Sequence, residues 1–397
     1  MSTPFFSIVI PTKGRSFLVG DVIESVVSQT FSDWEIIVAD NDDGNTTREV
    51  VAKFSDPRVR HHRTGGLSMP DNWDAGLAQA RGEYVLLLAD KQALKLRSLE
   101  RVHAVLERQP AGCMRWLCDV LDDARRITLI CREKCDGSVR LVPSDEILDR
   151  LANQPLNASN RLMPLGHFGG FHRDLLRRIR QGTVGRLCPP TNPDYTLAIQ
   201  AMAYDDAVLC FDEPLAVTST KNSNGRSWTL KTPASSQFMN ELGGRERTFD
   251  LVPVKAAFVH NGVYNDYLRL QNQIQGRLAR HPLNWPNYFL DCYHDMQGSV
   301  RLGVDMREEL AAWSRALDEQ TTAVQQSVRA ELAAQDKARR KGLRHSLKEF
   351  RRVTGISRLE WAIKDRLYAL TGRNQVGRFA TPLEYVKWEH EQQRSQN

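Results

Sequence analysis

The 397-residue chain has no run approaching the roughly 18–20 uninterrupted apolar residues that a membrane span needs, so no spanning helix is expected. Its opening, Met1-Ser2-Thr3-Pro4-Phe5, lacks the basic and apolar regions of a signal peptide. Cysteine is scarce: seven residues, an odd number without paired spacing, fit a reduced cytoplasm better than a disulfide framework. Cys113, Cys118, Cys131 and Cys135 lie close in sequence but lack the tight Cys-x-x-Cys knuckles of a zinc site. There is no Gly-x-x-x-x-Gly-Lys loop, which argues against a P-loop NTPase, and no His-Glu-x-x-His pattern. His61, His62, His167 and His172 therefore read as surface or core residues. Charge of one sign is also limited. A formal net charge of +6 with no accompanying reading motif gives no expectation of a nucleic-acid partner.

What the chain does have is an N-terminal half of alternating strand and helix patterns. Phe6–Ile10 is a buried-type strand running into Pro11-Thr12-Lys13-Gly14-Arg15. Leu18, Val22, Ile23, Val26 and Val27 then line one face of a helix. A second strand, Glu35–Ala39, ends on Asp40, and Asp71 is placed to cap a helix carrying Trp73, Leu77 and Ala80. A third apolar run, Tyr84–Leu88, ends on Asp90. Strands alternating with helices of about 10–15 residues predict an α/β fold with a mostly parallel sheet flanked by helices. Ligands of such sheets sit at the carboxyl edge, where Pro11-Thr12, Asp40 and Asp90 all fall.

Beyond Cys113 two further strands are expected, Met114–Val120 and Ile127–Arg132, followed by a mixed stretch punctuated by Gly169-Gly170-Phe171. Asn222–Ser227 reads as a loop leaving a first domain of residues 1–225. Residues 226–397 then form a largely helical region. In it Leu310, Trp313, Leu317, Val324, Val328 and Leu332 make an apolar stripe with a gap near Thr321. Basic residues interleave with apolar ones over 337–353, a segment suited to a solvated helix face or to peripheral contact with an anionic membrane at its cytoplasmic side.

Taken in order, these segments resemble the family-2 glycosyltransferases of the GT-A fold over about residues 5–220, most closely over 5–110. The resemblance implies an inverting enzyme that moves a sugar from a nucleotide sugar, UDP-linked, to a glycan or lipid-linked acceptor. It assigns Pro11, Thr12, Arg15 and Asp40 to the nucleotide, with Asp40 accepting from the base, and Asp74 to the donor sugar. Relatives carry an Asp-x-Asp or Asp-Asp signature that holds Mg²⁺ or Mn²⁺ against the diphosphate. Here the stretch reads Asp90-Lys91-Gln92, so Asp90 is the one carboxylate left for a metal, and Lys91 stands as a candidate replacement cation. Asp194, in Asn192-Pro193-Asp194-Tyr195, falls where the family has its catalytic base, although the neighbouring Glu is missing. A catalytically silent binding module in a polysaccharide assembly complex is the alternative reading. A nucleotidyltransferase on a similar sheet is disfavoured by the missing Gly-rich loop.

Overall fold

The computed structural model describes residues 3–123, 129–350, 374–376 and 379–395. Strand β1 (Phe6–Thr12) pairs in parallel with β2 (Trp34–Asp40), and β2 with β3 (Val59–Arg63). β4 (Tyr84–Leu87) lies parallel on the other side of β1. The register puts Thr12 beside Asp40, so both strands end at the same height. Beside these lie β5 (Gln92–Leu94), β6 (Cys113–Asp122), β7 (Leu129–Cys131), β8 (Val139–Pro143), β9 (Gly169–His172), β10 (Ala207–Ser219) and β11 (Asn374–Val376). The main path of the sheet runs β11-β7-β6-β9-β4-β1-β2-β3, with β10 joining β6 to β5 and β8.

Side-chain alternation builds two layers. Phe6, Ile8 and Ile10 of β1 pack with Ile36, Val38, Leu86 and Leu88 against helices Ser16–Val27 and Ser98–Leu106. Val9, Ile37, Val85 and Leu87 face the opposite layer. Cys113 and Cys118, five residues apart in β6, belong to opposite faces for the same reason. Among the described residues no cluster of three or more His, Cys, Asp or Glu could hold a metal ion.

Gly169-Gly170-Phe171, expected as punctuation, is instead a central strand. β9 inserts antiparallel between β4 and β6. A Cβ on Gly170 would run into Leu86 and Met114, and one on Gly169 into the Met114 carbonyl, so only glycine allows this approach. The Met69–Ala78 helix is capped by Ser68, whose hydroxyl accepts from the Asp71 N–H. Asp71, expected as the cap, lies instead in the first turn, where its Oδ2 accepts from the Ser68 hydroxyl at 2.6 Å. The gap in the C-terminal stripe is a real break, with one helix at Arg307–Asp318 and the next at Thr322–Phe350.

Packing does not separate at residue 225. One apolar cluster runs from Val9 and Leu87 through Leu197 and Ile199 to Val263, Tyr264, Tyr288 and Leu317. The last described helix, Pro382–Arg394, returns to the sheet and buries Leu383, Tyr385 and Val386 against Ala93 and Val217. Beneath it Lys95 bridges Asp119 and Glu389. No described helix is long and apolar enough to cross a membrane. The basic segment 337–353 lies largely outside the described side chains.

Candidate active site

A cavity of about 720 Å³ opens at the carboxyl edge of the parallel strands. Its floor is Pro11, Thr12, Asn41 and Ala89-Asp90-Lys91, and one wall is His167 with Asn192–Tyr195. The other wall is contributed by residues 221–241. This segment was expected to leave the domain. It folds instead as short helices Asn224–Thr229 and Pro233–Glu241 over the cavity mouth. Two bonds fasten it to the loop after β1: Arg15 Nη1 donates to the Asn222 carbonyl at 2.9 Å, and Lys13 pairs with Glu241 at 3.3 Å.

Pro11, Thr12, Arg15, Asp90, Lys91 and Asp194 all line this cavity. Asp90 is buried, and its Oδ2 accepts from Thr12 Oγ1 at 3.0 Å while pairing with Arg15 Nε at 3.0 Å. Burial raises the Asp90 pKa above the ordinary carboxylate value, opposed by Arg15 and Thr12. Lys91 is partly buried, and its ammonium makes no hydrogen bond or ion pair to the described residues. Desolvation and the nearby Arg15 lower its pKa. As a donor set for a divalent ion this is poor: one carboxylate, already neutralised by Arg15, with a second cation beside it. The fit is better for anionic oxygens approaching Lys91.

Asp194 sits in the first turn of helix Pro193–Tyr204, with Asn192 at the cap. Its side chain is 22% exposed and lines the cavity. Burial, reinforced by the charge of Asp266, pushes its pKa up to about 6 against the pull of the Tyr195 and Asp194 backbone N–H groups. Asp205 and Asp206, at the far end of the same helix, pair with Arg178 and Arg277 and have no part in the cavity.

Two sequence-predicted residues stand elsewhere. Asp40 is fully buried behind the cavity wall, 2.7 Å from His61 Nε2 and accepting from the Asp42 N–H at 3.0 Å. Its neighbour Asn41 lines the cavity. Asp74 does not reach the cavity either. It accepts from the backbone N–H groups of Leu187 and Cys188 at 3.0 and 3.2 Å and pairs with Arg186. Asp74 thus fixes the loop that leads to Asp194.

The residue most clearly missed is Asp266, on helix Val259–Ile274 of the C-terminal half. It is fully buried and accepts from the N–H groups of Thr191 and Asn192 and from Asn192 Nδ2, at 2.8–3.0 Å. The signal was there: Asn261, Asn265 and Asp266 are polar residues on a helix side otherwise buried through Val263, Tyr267 and Leu270. Asp266→Ala should strip the partners from two buried N–H groups, costing on the order of 2–3 kcal/mol in urea denaturation.

Residues 7–180 match the family described as Glycosyl transferase family 2. The chain carries a glycosyltransferase fold of the GT-A type. A Campylobacter jejuni GalNAc(5)-diNAcBac-PP-undecaprenol beta-1,3-glucosyltransferase is 34% identical over 95 residues, covering 23% of this chain and 31% of that protein. An Escherichia coli UDP-Glc:alpha-D-GlcNAc-diphosphoundecaprenol beta-1,3-glucosyltransferase is 37% identical over 54 residues, covering 14% and 21% respectively. The chain thus spans less than a third of the length of these curated relatives. The structure of S. aureus TarS 1-349 in complex with UDP-GlcNAc superposes with a TM-score of 0.50 at 13% identity, covering 81% of each chain, a likeness of fold. In this glycosyltransferase fold the cavity occupies the ligand edge of the sheet.

Proposed function

We propose that the protein is an inverting glycosyltransferase that moves a sugar from a UDP-sugar to a hydroxyl of a glycan or lipid-linked acceptor. The observation that carries this reading is the meeting, in one cavity, of a Lys91 ammonium without a partner among the described residues and a raised-pKa carboxylate on Asp194. The names of the two bacterial relatives, glucosyltransferases of undecaprenol diphosphate-linked glycans, support the donor and acceptor classes.

In the reaction the acceptor oxygen bonds to the anomeric carbon as the bond from that carbon to the diphosphate oxygen breaks. The hydroxyl proton passes to Asp194, and the electron pair leaves on the nucleoside diphosphate. Lys91 meets the developing charge on the diphosphate, with Arg15 beside it. Attack on the face opposite the leaving group inverts the anomeric configuration. Glycan and UDP are the products.

The test is a panel of UDP- and GDP-sugars scored for nucleotide release with alkyl glycosides as acceptors. Release of UDP from a UDP-sugar is the expected result. The single, neutralised carboxylate of the metal signature favours a second reading, a nucleotide-binding module without turnover. UDP binding with no release from any donor would select it.

A further inference from the structure

His167 is a polar, titratable side chain on the cavity wall that the proposed reaction leaves unused. It lies on the 3₁₀ turn Gly166–Phe168, and three features hold that turn in place. Gln92, fully buried, donates its amide to the His167 carbonyl at 3.0 Å and accepts from the Ala89 N–H at 2.8 Å. The turn that carries His167 is thereby tied to the Asp90-Lys91 segment. Gly166 fits between Trp73 and the start of helix Pro193–Tyr204, where a Cβ would come within 3.0 Å of the indole and 3.3 Å of the Asp194 Cα. The edge-on contact with Trp73, 6.5 Å between centroids, fixes the imidazole.

The ring so fixed has no hydrogen-bond partner among the described residues. Its Nδ1 is 3.6 Å from Asp194 Oδ2, too far for a direct bond but a span that one oxygen atom can bridge. Both side chains keep about a fifth of their surface open, 19% and 22%, and both line the cavity.

We infer that His167 binds the attacking oxygen, which accepts a hydrogen bond from the imidazole Nδ1–H while donating its own proton to Asp194. The inference rests on Asp194 acting as the base in the proposed transfer. His167 keeps its proton throughout, and the hydroxyl proton goes to the carboxylate. Burial, helped by the charges of Lys91 and Arg115, holds the His167 pKa down to about 3. The ring is therefore neutral and a weaker base than Asp194, so the hydroxyl proton goes to the carboxylate. Its contribution is orientation of a lone pair toward the anomeric carbon.

The experiment uses the full chain and the UDP-sugar turned over fastest in the donor panel. Hydrolysis, with water as the attacking oxygen, is measured beside transfer to an alkyl glycoside. His167→Phe, which keeps a ring against Trp73, and His167→Ala should both lower hydrolysis and transfer by about 10–10²-fold. UDP affinity and the donor KM should stay within about twofold, and the acceptor KM should rise. His167→Asn, whose amide can donate, should recover part of the loss. Normal hydrolysis and acceptor KM in His167→Phe would overturn the assignment while leaving the transferase reading intact. A wild-type protein that binds UDP and turns over no UDP-sugar would instead remove the transferase reading, and this assignment with it.

Discussion

Asp194→Asn is expected to bind UDP as the wild-type protein does and to transfer sugar about 10²–10⁴-fold more slowly, the usual scale for loss of a general base. Two independent readouts accompany that loss. Because burial pushes Asp194 up to about 6, wild-type kcat/KM should fall tenfold per pH unit as the pH drops below about 6. The slow residual rate of Asp194→Asn should lack that limb. Stability should move the other way. A carboxylate with a folded pKa above its unfolded value of 3.8 costs the native state stability above about pH 6, and that cost fades as the pH falls toward 3.8. Replacing it with a neutral amide should therefore raise stability at pH 7, on the order of 1–2 kcal/mol, with the gain disappearing in acid. A variant that is both less active and less stable would indicate a structural carboxylate, and near-normal turnover would hand the base role to another acid.

Lys91 carries the second large effect. A departing diphosphate needs positive charge at its oxygens, whether from an ion or from a side chain. Asp90 is committed to Thr12 and Arg15, and the ammonium beside it has no partner among the described residues. Lys91→Ala should lower kcat by about 10²–10³-fold, the scale seen when one charge-stabilising donor is removed from an active site. Lys91→Asp should show similarly low activity in chelator and recover part of it with Mn²⁺, because a second carboxylate then stands beside Asp90. The opposite result is easy to recognise. Wild-type activity abolished by chelator and restored by Mg²⁺ would mean that Asp90 turns toward an ion and that Lys91 is not its substitute.

The layered sheet was legible because strands buried on both faces read as near-continuous apolar runs, and Phe6–Ile10 and Tyr84–Leu88 are such runs. Thr12, Arg15, Asp90, Lys91 and Asp194 share one cavity, and the resemblance could point to them because strand ends and helix starts carry its local motifs. Side-chain direction carries none. Asp40 and Asn41 differ by one position at the end of β2, and that step decides which enters the cavity and which turns to His61. Asp74 looked like a sugar-facing acid because nothing near it in sequence announces Arg186 or the Leu187 N–H, more than a hundred residues on. His167 was passed over for the same reason: its importance lies in 3.6 Å of space beside Asp194, a distance that spacing along the chain cannot encode. The Gly169-Gly170 pair was read as punctuation because glycine gives the same signal between elements and in a crowded strand.

The reach of Asp266 across to Thr191 and Asn192 bears on how such chains can be recombined. The motif-bearing half and the motif-poor half are separable on paper at residue 225, an inviting junction for grafting one C-terminal region onto another N-terminal half. The buried carboxylate makes them a matched pair. A graft that brings a different residue to position 266 inherits an intact cavity floor and a Cys188–Asp194 loop without its anchor. Exchange of C-terminal regions should therefore carry the Cys188–Asp194 loop along with the helix that holds it.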